Sequence, residues 1–253
     1  MALRSMVKGV WRSCALLALS ATALGAQSAP RYTAEELRCI RFRVTVTTDV
    51  KTELQGRERL ERVVREGVLT VRGTAVDSGV AIEAWWDSLR LSRTAEGKTL
   101  TPDADGILGG FYRGFLTPAG HFTRTGAPWV PDEVAEVSDL TMALDDLFPR
   151  FDDGTVVRIS DAGGMRRWRV TQSRELDAPA DSTRPFAVLE SESSEGIAGW
   201  DRYGFRSWVR TVRSETRVKE TPRRTFRTQV TQQITLQRLD WCGSGAAAGR
   251  AGE

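Results

Sequence analysis

The chain has 253 residues, of which 40% are hydrophobic and 27% charged, with a formal net charge of +3. Three of the basic residues, Arg4, Lys8 and Arg12, fall within the first 26 residues, where there is no acid, so a chain lacking that stretch is neutral. A neutral chain with a single histidine and three cysteines excludes a broad basic footprint for nucleic acid and a familiar zinc site.

Residues 1–26 read as a secretory leader. They have a basic start, an apolar run over 14–24 and a small-residue exit at Leu24-Gly25-Ala26. Ser28 offers a second cleavage point, and an uncleaved anchor is the alternative. No cysteine stands where lipid attachment would need one. Residues 27–242 then form a single β-rich domain, and the Gly/Ala-rich residues 243–253 form a disordered tail.

The dominant period along the domain is two, the signature of a strand with one buried face. Ile40, Phe42, Val44, Val46 and Val50 alternate with polar residues, as do Phe226, Val230, Ile234 and Leu236. Further strands are expected at 68–76, 80–92, 110–117, 121–124, 155–160, 166–176 and 186–191. Within 80–92 the apolar positions change face around Trp85-Trp86, which predicts a β-bulge. Residues 58–65 fit either a helix or a strand. One amphipathic helix is expected from Pro131 to Phe148, carrying Val134, Val137, Leu140, Leu144, Leu147 and Phe148, with Pro149 as its stop, or two short helices broken at Ser138. Residues 206–219 and 226–237 should pair as a long hairpin around a turn at 220–223. The fold class is therefore mainly β: a strongly curved antiparallel sheet or incomplete barrel with long strands and one covering helix.

Cys39 and Cys242 are the cysteines left after the leader, and in an oxidising compartment they are expected to pair. Charge is uneven. Residues 132–161 hold nine acids against two arginines, and residues 202–241 hold ten basic residues against three acids. Both segments read first as solvated faces. The sharper reading is that Arg206, Arg210, Arg213 and Arg217 present a basic surface to an acidic partner or a membrane surface.

Catalytic chemistry finds little support. His121 sits in a hairpin with no serine near it in sequence, and nothing selects a carboxylate pair for glycoside hydrolysis. Asp103-Ala104-Asp105-Gly106 opens like a calcium loop but lacks the later glutamate. No cofactor, metal or nucleic acid is expected, and a carboxylate-dependent hydrolase is the least favoured reading. The aromatic residues are richer. Most of them suit core packing, but Trp85, Trp86, Phe111, Phe115, Trp129 and Trp168 are candidates to line an apolar pocket between sheet and helix.

The block Gly-Phe-Tyr-Arg-Gly-Phe-Leu-Thr-Pro-Ala-Gly at 110–120 is followed by Trp129-Val130-Pro131, the expected helix and Leu147-Phe148-Pro149. It resembles a pattern in uncharacterised secreted β-rich bacterial proteins, and it carries no catalytic residue. Long antiparallel strands around a helix are similar in architecture to the half-barrel carriers of the bacterial envelope. That resemblance implies an exported, non-enzymatic protein, periplasmic or extracellular, that holds a lipid-like ligand on a concave face. The alternative is an envelope interaction module using the arginine-rich hairpin.

Overall fold

The computed structural model describes residues 29–135, 144, 147–180, 186–221 and 224–242. The expected leader at 1–26 and tail at 243–253 lie outside the described residues. In chain order the strands are β1 (Ile40–Leu54), β2 (Arg57–Val76), β3 (Gly79–Ala95), β4 (Lys98–Leu100), β5 (Tyr112–Leu116), β6 (Phe122–Gly126), β7 (Thr155–Ala162), β8 (Met165–Ala178), β9 (Ala187–Asp201), β10 (Gly204–Thr221) and β11 (Arg224–Trp241). Among the described residues an α-helical segment, α1 (Asp132–Ala135), lies between β6 and β7.

These strands form one antiparallel sheet in the order β6-β5-β3-β2-β1-β11-β10-β9-β8-β7, with β4 paired to β3. The order resolves into two meanders. One runs outward from β1 to the edge at β6, and the other runs inward from the edge at β7 to β11. The first and last strands meet at the centre, where β1 pairs with β11 over its whole length. The sheet does not close into a barrel. The ambiguous stretch at 58–65 is strand, because β2 is held on both sides by β1 and β3. The expected bulge falls at Asp87, where the β2–β3 register passes from Val68–Ser88 to Leu69–Trp86. The displaced Asp87 carboxylate collects three donors: Arg41 Nε at 3.1 Å, Thr70 Oγ1 at 2.7 Å and Trp85 Nε1 at 3.0 Å.

The hydrophobic core occupies one half of one face. Phe42, Val44 and Val46 of β1 are flanked by Leu69 and Val71 of β2 and by Ile234 and Leu236 of β11. The pairing continues the layer outward to Trp86 and Leu91 of β3, Trp208 of β10, Ala198 of β9 and Trp168 of β8. Against this layer packs a plug of non-strand chain: Tyr32, Leu37, Ile107, Val134, Leu144, Leu147, Phe148 and Phe151. Tyr32 is its hub, with ring centroids of Phe148, Phe151, Trp200 and Phe205 within 5.5–6.0 Å.

Topology accounts for the plug. β6 and β7 are opposite edges of the sheet, so the chain between them must cross a face, and it crosses the apolar one. Close backbone approach fixes the crossing at Gly120, where φ is +102° and an added Cβ would strike the Pro149 carbonyl. A second strap, residues 29–39, runs from the β5–β6 turn, where Tyr32 N donates to Pro118 O, to Gly73 of β2, whose N–H donates to Leu37 O at 2.7 Å. Only the two ends of the expected helix fall within the described residues. Asp132–Ala135 is helical, residues 136–143 and 145–146 lie outside the described residues, and Leu147 and Phe148 reach the core from a turn and a bend. Val137 and Leu140 lie outside the described residues.

Cys39 and Cys242 are joined, with Cα atoms 5.3 Å apart, and Cys242 N donates to Cys39 O. The bond clips the start of β1 to the end of β11. Nearby, the buried Arg238 pairs with Asp201 and donates to the carbonyls of Tyr203 and Phe205, tying β11 to the β9–β10 turn. The disulfide spans 203 residues of sequence, and a loop of that length corresponds to about 5 kcal/mol of lost unfolded-state entropy. The double substitution Cys39→Ser/Cys242→Ser should therefore lower the denaturant midpoint of the oxidised protein substantially. An unchanged midpoint in urea titration would show that the bond constrains nothing.

Candidate functional site

The six aromatic residues singled out from the sequence do not share a cavity. Trp86 and Trp168 are core residues, 1% and 3% exposed, and Trp168 stacks edge-on against Trp200 at 5.7 Å. Trp85 and Phe111 do meet, at 5.3 Å, but on the other face of the sheet, with Arg72 over one ring and Arg113 over the other. Phe115 lies over Gly79, and Trp129 is 76% exposed. On the core face Tyr32, Phe148 and Phe151 pack their rings against one another and against Trp200 and Phe205 of the sheet.

The arginines expected to act together are divided by the strand period. Arg210 points to the core face and donates to Ser194 Oγ and Gln172 Oε1 at 3.1 and 3.4 Å. Arg213 and Arg217 point to the opposite face, where Arg217 pairs with Glu215. Arg206 sits in the register shift between Phe205 and Ser207. His121 is engaged by Asp152, with Nε2 2.6 Å from Oδ1. Among the described residues no three His, Cys, Asp or Glu side chains gather to hold a metal ion.

Two features of the distal half of the sheet do form surfaces. The first is a groove of about 1310 Å³. Three adjacent cross-strand rows line it, and the middle one, Glu61, Val50, Val230, Ser214, Glu192, Arg174, alternates to the core face while the outer two turn toward the groove. Of the outer two, one runs Thr94, Arg62, Asp49, Thr231, Arg213, Ser193, Ser173, and the other runs Leu60, Lys51, Gln229, Glu215, Ser191, Glu175. The rows extend from β2 and β3 to β8. Flat, seven strands would spread over about 29 Å, so a shared hollow requires the sheet to curl. By alternation along β1, Asp49 and Lys51 face away from Phe42, Val44 and Val46. The groove therefore lies on the face opposite the core. A strongly twisted sheet is saddle-shaped, and a saddle is hollow on both faces along crossing diagonals.

Charges in the groove are largely compensated. Arg62 grips Asp49 with Nε–Oδ1 at 2.6 Å and Nη2–Oδ2 at 3.1 Å. Lys51 meets Glu58 at 2.6 Å, and Arg59 meets Glu96 at 3.7 Å. Glu215 accepts from Arg227 at 2.7 Å, from Gln229 at 2.9 Å and from Arg217. Arg227 first, then Gln229 and Arg217, hold its carboxyl down at about 2.

The second feature is the distal part of the core face. There the inward positions are no longer covered by the plug. The last complete row is Arg57, Leu54, Phe226, Val218, Val188, Ala178, apolar from Leu54 onward. Behind it on the same face come Thr52, Thr228, Thr216, Glu190 and Leu176, and then the half-buried Val50 and Val230. Leu54 is 50% exposed. Arg174, paired in register with Glu192, is exposed on this face two rows back. The sequence signal for this surface was present as alternation, but alternation does not say where the covering chain ends.

The cage around Glu215 has a measurable consequence. Its folded-state value is depressed below the ordinary 4.5, so its contribution to stability is complete above about pH 4.5 and is lost as pH falls toward 2. Carboxyl-detected NMR should place the Glu215 midpoint near 2, and Arg227→Gln should move it upward toward the ordinary glutamate value. A midpoint that does not move in that variant would contradict the cage.

No protein-family model matches this chain, and no curated protein matches it. A solved structure on lipid–protein interactions in lipovitellin is similar over 84% of this chain and 26% of that one, with 10% identity and a TM-score of 0.42. The chain thus spans about a quarter of that protein's length.

Proposed function

We propose that this is an exported, non-enzymatic protein that binds an amphipathic, lipid-like ligand on the distal core face. The observation that carries the reading is the apolar row Leu54, Phe226, Val218 and Val188, which runs from Arg57 to the buried Ala178 and is separated from Val50 and Val230 by the row Thr52, Thr228, Thr216, Glu190, Leu176. Apolar side chains left half-exposed in rows are costly in water unless something covers them. Arg57, at one end of the row, suits an acyl chain that ends in an anionic head group. This places the ligand away from the aromatic set expected from the sequence and beside the plug rather than beneath it.

Export is supported by the Cys39–Cys242 disulfide, which an oxidising compartment permits. Among the described residues no helix is long and apolar enough to cross a membrane. The leader at 1–26 completes this part of the proposal.

The test is native mass spectrometry of the protein purified gently from a bacterial periplasm. A bound mass lost on denaturation and recovered in a lipid extract is the expected result. Leu54→Ser/Val218→Ser/Phe226→Ser should lose most of that bound mass while keeping the circular dichroism of the parent. A bare parent protein, or bound lipid indifferent to the triple substitution, would overturn the assignment.

A further inference from the structure

The polar groove on the opposite face has chemistry of its own. Its two outer rows supply hydroxyls and an amide from Thr94, Ser173, Ser191, Ser193, Gln229 and Thr231, and Leu60 is the one apolar side chain in those rows. That composition is wrong for an acyl chain. The backbone beneath its middle, in β1, β11, β10 and β9, is paired on both sides, so a peptide strand could add only at its margins, beside β2 before Glu61 or β8 after Thr171. At about 1310 Å³ it exceeds the usual 300–1,000 Å³ of a small-molecule site, which points to an extended ligand.

Within the two outer rows two charges have no opposite partner against them among the described residues, Glu175 of β8 and Arg213 of β10. Arg213 is exposed on the groove face, while Arg62, Arg59 and Lys51 each have a carboxylate against them. Its cross-strand neighbours are Ser193 of β9 and Thr231 of β11. A guanidinium between two hydroxyls is a donor set for one anionic group. The hydroxyl and amide surface on either side suits a polyhydroxylated chain held by hydrogen bonds, since no aromatic residue lines the groove for ring stacking.

We infer that this groove binds an acidic oligosaccharide, with one carboxylate of the sugar chain against Arg213, Ser193 and Thr231. The site lies on the face away from the lipid-like ligand, so either assignment can fail alone.

The experiment is calorimetric titration of the disulfide-bonded protein with hexagalacturonate, with maltohexaose as a neutral chain of equal length and hexaglutamate as an acidic peptide. Hexagalacturonate should bind at least tenfold more tightly than either control. Arg213→Gln should weaken it about tenfold, the usual scale for losing a charge-assisted contact, and Ser193→Ala should weaken it less. Arg43→Gln, which removes the same charge from the same face outside the groove, should leave affinity unchanged. Absence of binding, equal binding of maltohexaose, preference for hexaglutamate, or an unaltered affinity in Arg213→Gln would each overturn the inference. Equal loss in Arg43→Gln would do the same, by reducing the effect to net charge.

Discussion

The pairing of β1 with β11 governs the rest of the molecule. A chain whose first and last strands meet in mid-sheet must leave that centre in two meanders and carry its middle from one outer edge to the other. That crossing segment brings Val134, Leu144, Leu147, Phe148 and Phe151 beneath the apolar half-face, and the N-terminal strap adds Tyr32 and Leu37. The core is thus closed by connecting segments rather than by a second sheet. The disulfide and the buried Arg238–Asp201 pair stand at the same end of β11, where the two meanders join. A buried charge of this kind is costly unless fully engaged, and Arg238 meets one carboxylate and two carbonyls.

Strand length then separates packing from recognition. Strands of 15–20 residues run on past the plug, since β2 alone reaches about 65 Å at 3.3 Å per residue. Beyond Val46 and Ile234 the core face changes from tryptophan and leucine to valine and threonine, with Arg210, Ser194 and Gln172 forming a hydrogen-bonded band at the boundary. The opposite face changes as well, into the charged and hydroxylated rows around Asp49 and Arg213. The proximal half holds the protein together, while the distal half offers two chemically distinct surfaces on one set of strands.

Much of this was legible in the sequence. Alternation in 40–50 and 226–236 marked the two central strands, the cysteines marked their ends, and the face change near Trp85-Trp86 marked the bulge at Asp87. β9 was read too short. Its Ser191-Glu192-Ser193-Ser194-Glu195-Gly196 run has weak strand propensity and is strand only because β8 and β10 flank it. The surfaces were less legible for a related reason. Alternation assigns a side chain to a face, but rows such as Asp49, Thr231, Arg213 and Ser193 come from four strands and appear only once the register is known. Large aromatics drew attention to the core, where size is used for packing, and polar residues that looked merely solvated turned out to line the groove.

The central claim, that the two ends of the chain form the middle of the sheet, is open to a direct measurement. Native-state hydrogen exchange should find the slowest amides in β1 and β11, around residues 42–46 and 234–236, and the fastest strand amides in the edge strands β6 and β7. Amides of β1 and β11 that exchange as quickly as those of the edges would contradict the account, because strands paired on both sides and packed on a core cannot open as readily as strands paired on one.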